Sequence, residues 1–310
     1  MNIYISGSMA YDRIMDFPGF FSDHILPDKI HILNVCFTVN GLQEKYGGTA
    51  GNIAYSLRLL GEKPTILATI GRDHANYFQW LESNNIETNG IRIINDEFTA
   101  GAYITTDKAD NQITGFNPGA MKYRSEYAFP AGNEKAIGLI APGNLGDMME
   151  YAKYYKSNGI SCICDPGQSL TAWTGKDLTE WIAGSSILIS NDYELELISK
   201  MTGKGKQELL GITKTIITTL GENGSLISTS AGDTAIPIAK PMEVADPTGA
   251  GDAYRAGLLK GLVEGKSIAS AAKIGAVSAT YAIEKYGTQE HRFTLAGFRE
   301  RYRAAFGEDM

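Results

Sequence analysis

Short apolar runs bounded by polar or turn-forming residues recur along the chain, at Ile3 to Ser6, Thr65 to Ile70, Ala136 to Ala141, Ile160 to Cys164, Ser186 to Ser190, Lys214 to Thr219 and Ser225 to Thr229. Runs of this length with little polar alternation predict strands buried on both faces. Between them the apolar spacing becomes helical. Ile53, Leu57 and Leu60 fall on one face that stops at Gly61, and Ala256, Leu259 and Val263 fall on another. Strands alternating with helices predict an α/β fold whose mostly parallel central sheet is covered on both faces, with ligands at the carboxyl ends of the strands.

Two segments break this rhythm. Residues 8–45 and 95–118 lack long helical periods, and the second carries Ala102-Tyr103-Ile104-Thr105-Thr106, a turn over Lys108 to Asn111, and Gln112 to Phe116. That pattern predicts hairpins. The expected organisation is a core of residues 1–7, 46–94 and 119–310, with a small β lid of residues 8–45 and 95–118 inserted into it. No internal repeat or linker marks a separately folding second domain.

The 310 residues, 43% of them apolar, suffice for a large core. A net charge of −7 and a pI near 5.2 argue against nucleic-acid or anionic-membrane partners, so any phosphate site has to be local. The start of the chain lacks a basic, apolar leader, and no apolar stretch reaches membrane-spanning length, which predicts a cytoplasmic protein. Cys36, Cys162 and Cys164 have no redox or zinc spacing and are expected to be reduced core thiols. His24, His31, His74 and His291 show no metal-ligand spacing, and no Walker A or Rossmann fingerprint is present.

The most informative stretch is Asp246-Pro247-Thr248-Gly249-Ala250-Gly251-Asp252-Ala253-Tyr254, which closes on an acid where a helical pattern begins. Gly249 and Gly251 allow successive N–H groups to converge at a helix N-terminus, where a phosphate is favoured. A carboxylate beside a phosphate is repelled by it. Asp252 therefore suits removal of a proton from a hydroxyl that attacks phosphorus.

This stretch resembles the C-terminal signature of the PfkB, or ribokinase-like, family of carbohydrate and nucleoside kinases. Three further segments resemble family signatures in order: Gly47-Gly48-Thr49-Ala50-Gly51-Asn52, Asn191-Asp192-Tyr193-Glu194 and Thr219-Leu220-Gly221-Glu222-Asn223-Gly224. With Asp12 near the first strand, they span nearly the whole chain. The resemblance implies a three-layer α/β/α core with a β-sheet lid, ATP as phosphate donor and Mg²⁺ as cofactor. It implies Asp252 as base, with Gly249, Ala250 and Gly251 as an amide anion hole. Pro247 departs from the family's usual Thr and removes one N–H, which bears on any site for a monovalent cation such as K⁺. Asp12, Gly47, Gly48 and Asn52 would hold the acceptor's hydroxyls, although Asn52 alone also reads as a helix-start residue. Asn191 and Glu194 would organise Mg²⁺ through water, although such acids also mark a solvated helix face. Thr219, Gly221 and Gly224 would line the nucleotide, on what otherwise reads as an Asn-Gly hairpin turn.

The lid bears on the acceptor. Residues 30–45 contain only Lys45 as a formal cation and residues 95–118 only Lys108, too few to hold a sugar phosphate. Cys36, Phe37, Val39, Phe98 and Phe116 instead offer apolar surface for a base. The segment Asp110 to Met121, and Gly7-Ser8-Met9-Ala10-Tyr11-Asp12, resemble bacterial and archaeal adenosine or nucleoside kinases. The expected reaction is therefore ATP-dependent phosphorylation of a ribonucleoside 5′-hydroxyl, adenosine first, with Phe116 either stacking on the base or packing in the core. The alternative is a ribokinase-like sugar kinase acting on ribose or a related free sugar. A monomer and a homodimer paired through lid strands are equally compatible with the sequence.

Overall fold

The computed structural model describes residues 1–130 and 135–310. Its strands are β1 (Asn2–Ser6), β2 (Ala10–Asp16), β3 (Gln43–Gly47), β4 (Pro64–Gly71), β5 (Ile91–Ile94), β6 (Ala100–Thr106), β7 (Gln112–Asn117), β8 (Ala136–Ile140), β9 (Ser161–Cys164), β10 (Ile187–Asn191), β11 (Ile216–Thr219), β12 (Ser225–Thr229) and β13 (Gly232–Ile236). The helices are α1 (Thr49–Leu59), α2 (Ala75–Ser83), α3 (Leu145–Ser157), α4 (Gly175–Ile182), α5 (Asp192–Thr202), α6 (Lys206–Leu210), α7 (Ala250–Val263), α8 (Ile268–Ile283) and α9 (Leu295–Phe306).

Nine strands form one sheet in the order β13-β12-β11-β10-β9-β8-β1-β4-β5. It is parallel from β5 to β11 and ends in the antiparallel pairs β11–β12 and β12–β13. Side chains alternate across it as the strand period of two requires. Ile3 and Ile5 pack with Ile53, Leu57, Leu258 and Ala271 on one face, whereas Tyr4 packs with Met148, Tyr151, Tyr155 and Leu178 on the other. In β9, Cys162 and Cys164 share the second face and Ile163 the first, so both thiols are buried. Cys36, expected in the core with them, is exposed. It lies in the irregular stretch between β2 and β3, where Leu33 and Leu42 are exposed as well.

Four strands form a second sheet in the order β3-β2-β6-β7. β2 pairs antiparallel with β3 and parallel with β6, and β6 closes the predicted hairpin with β7. β3 runs through Tyr46 and Gly47 directly into α1, so the small sheet and the helix bearing Asn52 are continuous chain. Phe37 joins Phe17 and Phe21 in a ring cluster with centroids 4.8 and 5.0 Å away. Among the described residues, no helix is long and apolar enough to cross a membrane.

Candidate active site

Gly249 precedes α7 at φ +80, a left-handed conformation, and a Cβ there would lie 2.9 Å from the Thr288 methyl. Both facts require glycine. The loop before it is held by Asp246, whose carboxylate accepts from the Thr248 N–H at 2.9 Å and the Gly287 N–H at 3.0 Å. The first N–H groups of a helix have no partner one turn back, so the start of α7 presents donors. Thr248, Gly249, Gly251 and Asp252 line a cleft of about 560 Å³ there. Ala250 lies instead beside an adjoining pocket, and its N–H donates to the Pro247 carbonyl at 3.3 Å.

Asp12, Gly48 and Asn52 reach the same cleft from β2 and the start of α1. Gly48 has φ +90, and a Cβ would sit 2.6 Å from the Ser8 carbonyl, so only glycine lets the chain pass between β3 and α1. Gly47 leaves room for Asp12, whose carboxylate would be 2.6 Å from a Cβ at that position. Burial, and the charge of Asp246, push the Asp12 pKa up. The Asn52 amide bridges two partners: its Nδ2 donates to Asp252 Oδ2 at 2.8 Å, and its Oδ1 accepts from Gln289 Nε2 at 3.0 Å.

Two charged residues that sequence reasoning missed complete this wall. Arg255 Nη2 donates to Asp165 Oδ1 at 2.8 Å, and both side chains are buried. Asp165 follows β9 at its carboxyl end, and Arg255 is a cation inside an apolar helix one turn after Asp252. Those placements were the available signals. Burial pushes the Asp252 pKa up to about 6 against the opposing pull of Arg255 and Asn52, with Asp165 adding to the rise. The Asp252 carboxyl therefore sits closer to neutrality than an exposed one.

On the other side of the cleft, Asn191 caps α5. Its side chain accepts from the Glu194 N–H at 2.7 Å, while Glu194 Oε2 accepts from the Asn191 N–H at 2.8 Å. This reciprocal capping explains the spacing of the pair, and both residues also line the cleft. Thr219 and Gly221 line it too, at the turn between the antiparallel strands β11 and β12. They continue into an apolar pocket of about 400 Å³ bounded by Gly224, Ile238, Val244, Tyr254, Ala276 and Ile283. The pocket walls from the β13–α7 connection and from α8 had no sequence signal, because their apolar pattern is that of any packed helix or strand end. Among the described residues, no group of three or more His, Cys, Asp or Glu side chains converges as a metal cage. Phe116 is 54% exposed on β7, so it is not a core residue, and it lies outside the residues lining the cleft.

Comparison with known proteins adds an independent line. The model of the pfkB family of carbohydrate kinases matches residues 17–294. A nucleoside kinase of Methanocaldococcus jannaschii is 33% identical over 83% of this chain and 85% of its own. A Burkholderia thailandensis nucleoside kinase, solved in complex with inosine, superposes with a TM-score of 0.87 at 34% identity, covering 99% of each chain. A ribokinase of Haemophilus influenzae is 24% identical over 92% of this chain and 93% of its own.

Proposed function

We propose that this chain, which belongs to the pfkB family of carbohydrate kinases and is a phosphotransferase, moves the γ-phosphoryl group of ATP to the 5′-hydroxyl of a ribonucleoside, adenosine before others. The observation that carries this reading is the position of Asp252. Its carboxylate lies at the open start of α7, bonded to Asn52, in a cleft that also takes in Asp12 and runs on into an apolar pocket.

Asp12 and Asn52 hold the ribose hydroxyls and bring the 5′-oxygen into line with the γ-phosphorus. Asp252 accepts the hydroxyl proton as the new bond to phosphorus forms and the bond to the leaving phosphate breaks. The Gly249 and Gly251 amides, with Ala250 beside them, offset charge on the transferred group. Asn191, Thr219, Gly221 and Gly224 lie along the nucleotide, with the apolar pocket for its base. Magnesium neutralises phosphate charge when bound, and Glu194 would hold it through water. The absence of a three-ligand cluster among the described residues suits an ion that keeps most of its waters.

The nucleoside reading is supported by the charges near the lid. Lys45 is paired with Glu290 at 3.0 Å, and Arg13 on β2 is paired with Glu44 and Asp73, so these cations are already engaged. The Methanocaldococcus jannaschii and Burkholderia thailandensis nucleoside kinases are 33% and 34% identical to this chain, and the Haemophilus influenzae ribokinase 24%. The ribokinase likeness keeps a free sugar such as ribose as the second reading. The deciding experiment measures ADP formation with adenosine, inosine, guanosine, ribose and fructose 6-phosphate in parallel, with and without K⁺. Adenosine active above ribose supports the proposal. Ribose active and the nucleosides silent reverses it in favour of the sugar kinase.

A further inference from the structure

The segment after α8 runs between the small sheet and the core. Thr288 Oγ1 donates to the Tyr46 carbonyl on β3 at 3.0 Å, and Glu290 pairs with Lys45 of the same strand at 3.0 Å. Between these anchors Gln289 is 2% exposed, and both ends of its amide are engaged. Its Oε1 accepts from the Trp80 indole Nε1 at 2.8 Å, while its Nε2 donates to Asn52 Oδ1 at 3.0 Å and Tyr77 Oη at 2.8 Å. An indole N–H only donates, so Trp80 determines which end of Gln289 is the carbonyl. The Gln289 nitrogen must then face Asn52, which presents its own carbonyl to Gln289 and its own N–H to Asp252. The chain of hydrogen bonds has one direction, set at the indole.

We propose that Gln289 is a positioning residue for phosphoryl transfer, holding the Asn52 amide so that its N–H, and not its carbonyl, faces Asp252. The inference rests on the reading of Asp252 as the base. Without the Gln289 donor, only the Asp252 carboxylate itself holds the Asn52 N–H toward it, and once Asp252 takes up a proton the Asn52 amide is free to turn. A carbonyl oxygen against Asp252 would favour the protonated carboxyl, which cannot accept the hydroxyl proton. The charged groups that share the cleft with Asp252 are Arg255 on its own helix, Asp165 after β9, and Asp12, Asp192 and Glu194. The bonds of Gln289 itself go to Asn52, Tyr77 and Trp80.

The test is a double-mutant cycle between Gln289→Leu and Asn52→Ala, with kcat/KM followed against pH. In the otherwise native protein, Gln289→Leu is expected to lower kcat about tenfold and move the acid limb of kcat/KM up by about one pH unit, with the KM for ATP changed less than about twofold. In the Asn52→Ala background the same substitution is expected to change neither quantity by more than about twofold. Equal losses in both backgrounds, or an unmoved acid limb, overturn the proposal. Gln289→Glu keeps the shape but accepts where Gln289 donates, so it turns Asn52 around and lowers kcat at least as far. It also carries the cycle should the leucine variant not fold. Asp252→Asn separates the two readings. Turnover retained there removes the base assignment, whereas an inactive Asp252→Asn with an additive cycle removes only the role of Gln289.

Discussion

Asn52 and Asp252 lie 200 residues apart in the chain, yet the Asn52 Nδ2 donates to Asp252 Oδ2 at 2.8 Å. The contact joins the start of α1 to the start of α7, and these two helices pack on the same face of the large sheet. It places a neutral donor against the carboxylate assigned to proton removal. Arg255, the nearby cation on α7, is meanwhile paired with Asp165.

Asp252→Asn is expected to abolish turnover while leaving ATP binding largely intact. In the native protein, kcat/KM should fall about tenfold per pH unit below the Asp252 pKa of about 6, because the protonated form cannot act as base. Steady-state rates between pH 5 and pH 8, at about half-unit steps, check the limb. Near-normal turnover in the Asn variant would remove Asp252 from the role.

The same substitution should stabilise the fold. A folded pKa raised above the unfolded value means that the native carboxyl binds its proton more tightly, so stability declines as pH rises from about 4 to about 6 and stays low above that. Replacing the group with a neutral amide should recover about 3 kcal/mol at pH 7, read as a higher midpoint in denaturant. An unchanged or lower midpoint contradicts the raised pKa.

Arg255→Met should destabilise the protein by about 3 kcal/mol, since it leaves Asp165 buried without its cation. Adding Asp165→Asn to it should recover most of that loss, because the buried charge is then gone as well. Urea unfolding of the two single variants and the double variant measures the coupling, and additive losses would count against it.

His291 is fully buried, and burial alone pushes its pKa down to about 4 from 6.5. The unfolded chain therefore takes up a proton that the native state refuses as pH falls from about 6.5 to about 4, so stability is complete above that window and declines through it. His291→Gln should flatten this decline by roughly 3 kcal/mol across the window. Equal acid sensitivity of the two proteins would assign the decline to other groups.

Phe116 stands exposed on β7, outside the residues that line the cleft. If it stacks on a bound base, Phe116→Ala should raise the KM for a nucleoside about tenfold or more, leave the KM for ATP unchanged and barely affect stability. Unchanged nucleoside KM would leave Phe116 as a surface residue without a role in the acceptor site.

Much of the fold was legible because it is periodic. The apolar runs of β1, β4, β8, β9, β10, β11 and β12 lie where the pattern predicts, and the Lys108 to Asn111 turn joins β6 to β7. β5 and β13 were missed, since Ile91–Ile94 is short and Gly232–Ile236 is mostly exposed, so neither carries a buried run. Cys36 went astray for a related reason: a small apolar side chain reads as core wherever it falls, and its exposure depends on what packs over it.

The sequence alone determined most of the buried strands, the helical patterns of α1 and α7, and where glycine-bearing turns such as Gly47–Gly48 and Gly249–Gly251 deliver Asn52 and Asp252 to helix starts. These are consequences of local sterics and of hydrophobic period. Only the tertiary structure decided that Asn52 meets Asp252, that Gln289 bonds to Asn52, that Asp165 pairs with Arg255, and that α8 walls an apolar pocket beside the loop before α7. Those contacts join residues far apart in the chain, and a period of two or of 3.6 states which face a residue occupies without stating what lies opposite that face.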